Sequence, residues 1–340
     1  MAHVNREQFL RTLESVSPGL AAKEVVDQAT CFVFTGGVVH TFNDEVAARA
    51  PVPVSFTGAI PAQALLDLLR KLTEDSLDIQ ATKGTEAAAG ELQIKGAGRR
   101  SGITMEADVL LPFNVVEQPD KWHPVEPSVI EAIEMATQCA ATEHEVFAFK
   151  CLHLTPTAVE ACDNFKAIRY HCTIPLANPC LINASAGKHL VGYGMAEMCQ
   201  TPNWLHFRNP SGLVISCRLY REDFGVPMDS LVGMQGTPAR LPAGLVEAVD
   251  KATIFSESGD DVSLDLKAGK LRVRTRNASG WYEEYREVEY SGQPVSVLIS
   301  AVLIKACLAH ATDILICANA VKVERPNFTF FTTSKVPTPG

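Results

Sequence analysis

A short apolar–polar pattern recurs along this chain, and a chain that repeats a folding unit must join or stack copies of it. Ile130-Glu131-Ala132-Ile133-Glu134-Met135-Ala136-Thr137 matches Val246-Glu247-Ala248-Val249-Asp250-Lys251-Ala252-Thr253 almost position for position. Leu10-Arg11-Thr12-Leu13-Glu14-Ser15-Val16-Ser17 is a fainter third copy. Apolar positions three apart, with small residues between, describe one face of a helix. Pro127 and Pro242 stand just ahead of two copies, where a helix start accepts proline. Across 340 residues the copies are spaced so that each heads a unit of ordinary domain size.

The segments after each helix repeat as well. In the last third, Val262–Leu266 and Leu271–Arg276 alternate apolar and polar residues around Lys267-Ala268-Gly269-Lys270, a hairpin signature. Strands are expected at Trp281–Tyr290 and Val295–Ile299, a second helix at Ala301–Ala311, then strands at Ile314–Ala318, Ala320–Glu324 and Thr329–Thr333. The first third fits the same order. Helix Arg6–Val16 precedes strands Cys31–Phe34, Val38–Phe42 and Val52–Phe56, and helix Ala62–Leu72 precedes Leu77–Ala81, Glu91–Lys95 and Gly102–Glu106. The middle third predicts helix Ser128–Ala140, strands around Phe147–Leu154, Ala158–Cys162 and Ile168–Ile174, and a helix over Ser185–Met198 that Gly187, Gly192 and Gly194 weaken. The fold class is α+β, with two helices on antiparallel sheet in each of three tandem domains, 1–115, 122–234 and 240–340. Pro112–Pro127 and Met234–Pro242, rich in Pro, Gly or polar residues, read as linkers.

Composition limits the function. Ten cysteines lie scattered from Cys31 to Cys317 without a Cys-x-x-Cys pair, which predicts buried, reduced thiols and a cytoplasmic protein. No apolar run is long enough for a membrane span, and the N-terminus lacks the apolar core of a signal peptide. A net charge of −9 argues against binding nucleic acid over the whole surface, but it allows a local basic lining.

The three units resemble the bacterial DNA sliding clamp, the β subunit of the replicative DNA polymerase. Val16-Ser17-Pro18-Gly19-Leu20 is similar to the end of the clamp's first helix and the turn after it. Ile60-Pro61-Ala62 with Leu65, Leu66 and Leu69 resembles the second helix of its first domain. Ala161-Cys162-Asp163-Asn164-Phe165-Lys166-Ala167 lies where the family carries Ala-Thr-Asp-Gly-His-Arg-Leu, and Tyr290-Ser291-Gly292 is similar to its third domain. The resemblance covers nearly the whole chain and rests on ordered agreement, without one diagnostic signature. It implies a head-to-tail homodimer, a ring of six domains around duplex DNA. Helices would line the hole, and sheets continuous across domain boundaries would form the wall. It also implies a polymerase processivity factor of the cytoplasm, at the nucleoid, with DNA polymerase and clamp loader as partners and no cofactor.

Non-specific duplex binding needs Lys and Arg near phosphates and no base readout. Candidates on or beside the repeat helices are Arg6, Arg11, Lys23, Arg70, Lys71, Lys188, Lys251 and Lys305, with Lys23 matching a DNA-contacting arginine of the family. Glu131, Glu134, Glu247 and Asp250 on the same helices dilute the basic field. Family clamps hold partner peptides in an apolar pocket. Its positions fall here on Phe149 or Lys150, Cys162, Asn164, Phe165, Lys166 and Ala167, with Thr332 to Lys335, including Ser334, from the tail. Asn164 replaces a glycine, Phe165 a histidine and Lys166 an arginine, and the tail lacks the family's apolar ending. Because such pockets draw affinity from buried apolar anchors, an altered motif preference or dedicated partners are expected. Phe165 reads equally as a core aromatic.

No enzyme is expected. Lys95-Gly96-Ala97-Gly98-Arg99-Arg100 joins two strands, so its Gly-x-Gly reads as a hairpin turn and not as a phosphate loop, with Arg99 and Arg100 as candidate weak DNA contacts. Glu143-His144-Glu145 has no second histidine at helical spacing. Cys162, Cys172, Cys180 and His171 fit no zinc pattern, and Asp163 reads as a turn residue bonding its own backbone. No Ser-His-Asp or Cys-His frame is recognisable. Two alternatives to a processivity factor stay open: a clamp-fold interaction or regulatory protein that no longer encircles DNA, and an enzyme on a repeated scaffold.

Overall fold

The computed structural model describes residues 1–24, 26–82, 84, 90–256 and 261–335. Its α-helices are α1 (Arg6–Val16), α2 (Ala62–Lys71), α3 (Pro127–Thr137), α4 (Ala184–Lys188), α5 (Met228–Val232), α6 (Leu245–Ala252) and α7 (Ala301–His310). The Asn5 side chain caps α1 by accepting from the Gln8 backbone N–H at 2.9 Å, and α1 then buries Phe9, Leu13 and Val16. Helix α2 buries Ala62, Leu65, Leu66 and Leu69 and carries Arg70 and Lys71 in its last turn, where cations suit the helix dipole. α1 packs on α2, and α6 on α7.

The chain divides into two compact units, Met1–Glu134 with Leu154–Pro156 and Thr173–Glu222, and Met135–His153 with Thr157–Cys172 and the residues from Asp223 onward. In the first unit an antiparallel sheet runs Thr57–Pro61, Cys31–Thr35, Val38–Phe42, Val46–Pro51, Val214–Arg218, Trp204–Arg208, Glu197–Gln200, His123–Pro124. Strands from the first third thus join strands from the middle third, with Arg49 opposite Val214 and Ala47 opposite Ser216 at the seam. The second unit repeats the device. Among the strands that lie wholly in this unit, its main sheet takes in, in order, Ala158–Cys162, Lys166–His171, Phe328–Thr333, Ala320–Glu324, Asp313–Ile316, Thr237–Arg240, Glu289–Tyr290, and Ala167 faces Phe331 at the seam. Each unit also holds a smaller four-stranded sheet. These run Ala2–Asn5, Ser76–Thr82, Gly90–Gly96, Arg99–Met105 in the first unit, and Gly280–Glu287, Lys270–Asn277, Asp261–Lys267, Val295–Ser300 in the second.

Hairpins Val38–Phe42/Val46–Pro51 and Ala158–Cys162/Lys166–His171 are copies of one another down to their turns. Asn43 Oδ1 accepts from the N–H groups of Glu45 and Val46 at 3.1 and 2.8 Å, and Asp163 Oδ1 from those of Phe165 and Lys166 at 3.0 and 2.8 Å. The next residue is left-handed in both, Asp44 at φ 74° and Asn164 at φ 76°. Asn and Asp tolerate this conformation best among non-glycine residues.

On the sheet face away from α1, the first connector lays Leu111 and Val116 over Phe42, Ala47 and Trp204, and Phe113 stacks on the His40 ring at 4.4 Å. In the second unit Phe224 stacks on His153 at 4.9 Å. There α5 is tied down at both ends: Arg169 pairs with Asp229 at 2.7 Å, and Lys322 Nζ donates to the carbonyls of Val232 and Met234 at 3.1 and 2.7 Å.

Four expectations need correction. The strand placed at Val52–Phe56 lies instead at Val46–Pro51, followed by Thr57–Pro61. Pro53 denies the expected segment a ladder donor, while alanines hide the real strand from propensity. The helix over Ser185–Met198 stops at Lys188, and Gly192 and Gly194 take positive φ before a strand begins at Glu197. Phe147–Lys150 is a single 3₁₀ turn, with the strand starting at Cys151. Both linkers contribute sheet, at His123–Pro124 and Thr237–Arg240. The turn at Gly96-Ala97-Gly98-Arg99 is the expected hairpin, with Gly96 opposite Arg99 and Gly98 at φ 72°.

Candidate functional site

Of the eight basic candidates, five are already engaged. Arg6 donates to the carbonyls of Glu74 and Leu69 at 3.0 and 3.2 Å, which makes it a tie between α1 and the end of α2. Arg11 pairs with Glu7 one turn earlier. Arg70 reaches Glu14 at 2.9 Å and Lys305 reaches Asp250 at 2.9 Å, so the paired helices of each unit carry a similar inter-helix bridge. Lys251 lies 3.9 Å from Glu284. Lys23, Lys71 and Lys188 are exposed and have no ion pair among the described residues. An ion-paired cation offers little net field to an anion, so these three keep a more available charge than Arg11, Arg70, Lys251 and Lys305 do.

The partner-peptide candidates do come together, all in the second unit. Asn164 Nδ2 lies 2.7 Å from His144 Nε2, and the His144 ring stands edge-on to Phe149 at 4.7 Å. Lys166 Nζ donates to the Gln138 carbonyl and lies 3.7 Å from Asp163. The Thr333 N–H donates to the Phe165 carbonyl at 2.7 Å, and Lys166 faces Thr332 across the strands. Cys162, Ala167 and Thr332 are buried in the sheet beneath, and Ser334 is held through its N–H on the Asn319 carbonyl at 2.9 Å. Phe165 is 61% exposed, which removes the core reading; Val146, whose N–H bonds to the His144 ring that reaches Asn164, is 51% exposed. Asp163 is the expected turn residue. Val336 and Pro337 of the tail lie outside the described residues.

His144 and Val146 are the members of this patch that sequence reasoning missed. Glu143-His144-Glu145 reads in sequence only as an acid–base cluster, and no local signal places it beside the turn at Asn164. His144 also accepts from the Val146 N–H at 2.9 Å, so it organises its own loop as well as holding Asn164. Burial pushes the thiol of Cys172 up to about 11 and that of Cys180 to about 12, so neither is a ready nucleophile at neutral pH. Among the described residues no group of three or more His, Cys, Asp or Glu side chains is arranged to hold a metal, and no helix is long and apolar enough to cross a membrane.

No family model matches the sequence, and no curated protein matches it. Solved structures match along the whole chain. The DNA polymerase III subunit β of Pseudomonas aeruginosa is 15% identical, with 99% of this chain and 100% of that chain covered and a TM-score of 0.81. The β chain from Streptococcus pneumoniae is 13% identical over 99% and 100% of the two chains, with a TM-score of 0.84. The β subunit from Thermotoga maritima is 13% identical over 99% of this chain and 99% of that one, with a TM-score of 0.81. At such identities the likeness is one of architecture, carried by the order of strands and helices, and by it this chain has the α+β sliding-clamp fold of the DNA polymerase III β subunits.

Proposed function

We propose that the chain is a DNA sliding clamp: two copies join head to tail, and the resulting six domains encircle duplex DNA and tether a polymerase to it. Each copy supplies domains 1–115, 122–234 and 240–340. The observation that carries this reading is a pair of long open sheet edges. Strands of seven and eight residues, Arg99–Met105 and Gly280–Glu287, each end a four-stranded sheet with no ladder partner on their outer side among the described residues, although Glu106, just past the first, bridges to Ala59. Exposed edges of this length template pairing with another chain. The two are complementary, since the first carries Arg99 and Arg100 and the second carries Glu283, Glu284 and Glu287 against Arg286 alone. Trp281 and Tyr285 on the acidic edge are 65% and 64% exposed, the kind of aromatic surface that interfaces cover.

A ring holds DNA by topology, so the few unpaired cations suffice: Lys23, Lys71 and Lys188 touch phosphates, while Arg6, Arg11, Arg70, Lys251 and Lys305 set helix geometry first. The patch of Phe165, Val146, His144 and Phe149 receives the partner peptide, over Cys162, Asn164, Lys166, Ala167, Thr332 and Ser334. Its polar rim suits a motif different from that of ordinary clamps. Loading onto circular DNA tests the ring. Protein retained on closed circles and released on linearisation supports it. Protein lost from both forms rejects it and favours a clamp-fold regulatory protein that does not encircle DNA, a reading that the ion-paired state of Arg11, Arg70, Lys251 and Lys305 also supports. Negative-stain microscopy separates the two independently, as closed rings against crescents.

A further inference from the structure

The repeated hairpins place two arginines in equivalent positions with unequal surroundings. Arg169 stands opposite Glu160 and Arg49 stands opposite His40, at the same register of the same turn. Arg169 has two carboxylates: Glu160 beside it and Asp229 at 2.7 Å from the connector above. Arg49 has neither. It is partly buried, and its side chain makes no hydrogen bond or ion pair among the described residues. The charge that bears on it is of its own sign, from Arg208.

A cavity of about 130 Å³ opens beside Arg49, roofed by the first connector at Phe113, Glu117 and Gln118 and walled by His206 and Ser216. The one carboxylate on its rim is committed elsewhere, because Glu117 takes hydrogen bonds from Thr201 and Asn203. Both nitrogens of His206 are also committed, to Ser216 at 2.8 Å and Thr201 at 3.0 Å. A guanidinium taken partly out of water without a counter-charge is unfavourable, and its planar fork matches two oxygens of one anion.

We propose that this cavity binds a small tetrahedral oxyanion, of the size and charge of inorganic phosphate, which pairs with Arg49 as Glu160 and Asp229 pair with Arg169. The space takes a single ion and is too small for a nucleotide. The bound ion clamps the first connector onto the seam where strands Val46–Pro51 and Val214–Arg218 meet. Neither the site nor its occupant depends on ring closure.

The full chain is heated in sodium phosphate and in sodium chloride at matched ionic strength, and phosphate is titrated into it by calorimetry. Phosphate raises the melting temperature of the parent. Arg49→Gln loses that rise and binds phosphate at least about tenfold more weakly. His40→Glu installs the carboxylate that the second hairpin already has, so it melts higher than the parent in chloride and no longer responds to phosphate. A phosphate response kept by both variants is general salting and overturns the site, as does a parent that shows none. A response to acetate without one to phosphate assigns the cavity to a carboxylate and also overturns the proposal. If Arg49→Gln does not fold, His40→Glu decides alone.

Discussion

Asn164 shows how much a single residue can disclose. An asparagine where the resembling family has glycine signals a backbone that must turn left-handed, and φ is 76° there. Asn164→Gly relieves the backbone but gives up the contact with His144, so the two effects should offset to within about 1 kcal/mol. Asn164→Val should cost about 1–2 kcal/mol in urea unfolding, because a β-branched side chain fits that conformation poorly. Phe165, next along, is ambiguous in the sequence because core and interface aromatics are the same residue type. At 61% exposure, Phe165→Ala should change stability by less than about 0.5 kcal/mol. The same change should weaken partner-peptide binding by about 1 kcal/mol or more in a fluorescence titration. The unpaired state of Arg49 is not legible in the sequence at all, since its surroundings are set by the connector around Phe113 and Glu117, far along the chain.

Among the elements, those with strong local chemistry are legible. Helix Arg6–Val16 is set by its apolar spacing and strand Ala158–Cys162 by the turn after it, whereas the alanine-rich strand Val46–Pro51 owes its existence to neighbours on both sides. The connectors are invisible as structural parts, because the contacts that place them are with distant strands. Lys322 is only 2% exposed and holds two connector carbonyls, so Lys322→Met should cost about 1–3 kcal/mol and speed hydrogen exchange across Met228–Met234. The sheet beneath the first connector sets an acid limit. Burial, with Arg49 adding to it, pushes His206 down to about 4, and the same causes act on His40. The unfolded chain takes up these protons near 6.5 and the folded chain only near 4. Their contribution to stability is therefore complete above pH 6.5 and falls as pH drops through that window. His206→Gln should flatten the fall in melting temperature between those limits, even if it lowers the melting temperature at neutral pH.

For the whole molecule, the sequence discloses the repeat and its direction but not the edges that the repeat leaves open. Strands within a unit find partners along the chain; the outer sides of Arg99–Met105 and Gly280–Glu287 have no ladder partner among the described residues, apart from the bridge of Glu106 to Ala59 just past the first. If they pair between copies, the arginines of one edge meet the glutamates of the other twice in a closed dimer, once at each junction. Arg99 and Arg100 are weakly committed at home, to Glu74 at 3.5 Å and Gln93 at 2.8 Å, so both are free to re-pair. Arg99→Glu with Arg100→Glu should repel the acidic edge and yield monomers in sedimentation equilibrium at concentrations where the parent is a dimer. Glu283→Lys with Glu287→Lys should do the same. Mixing the two variants should restore closed rings as heterodimers. One junction then joins the two reversed edges and the other joins the two parental edges, so opposite charges meet at both. A chain carrying all four changes should close with itself for the same reason. Monomers from the mixture and from the combined chain would place the contact on other surfaces, while rings recovered by both would fix the pairing and its head-to-tail sense.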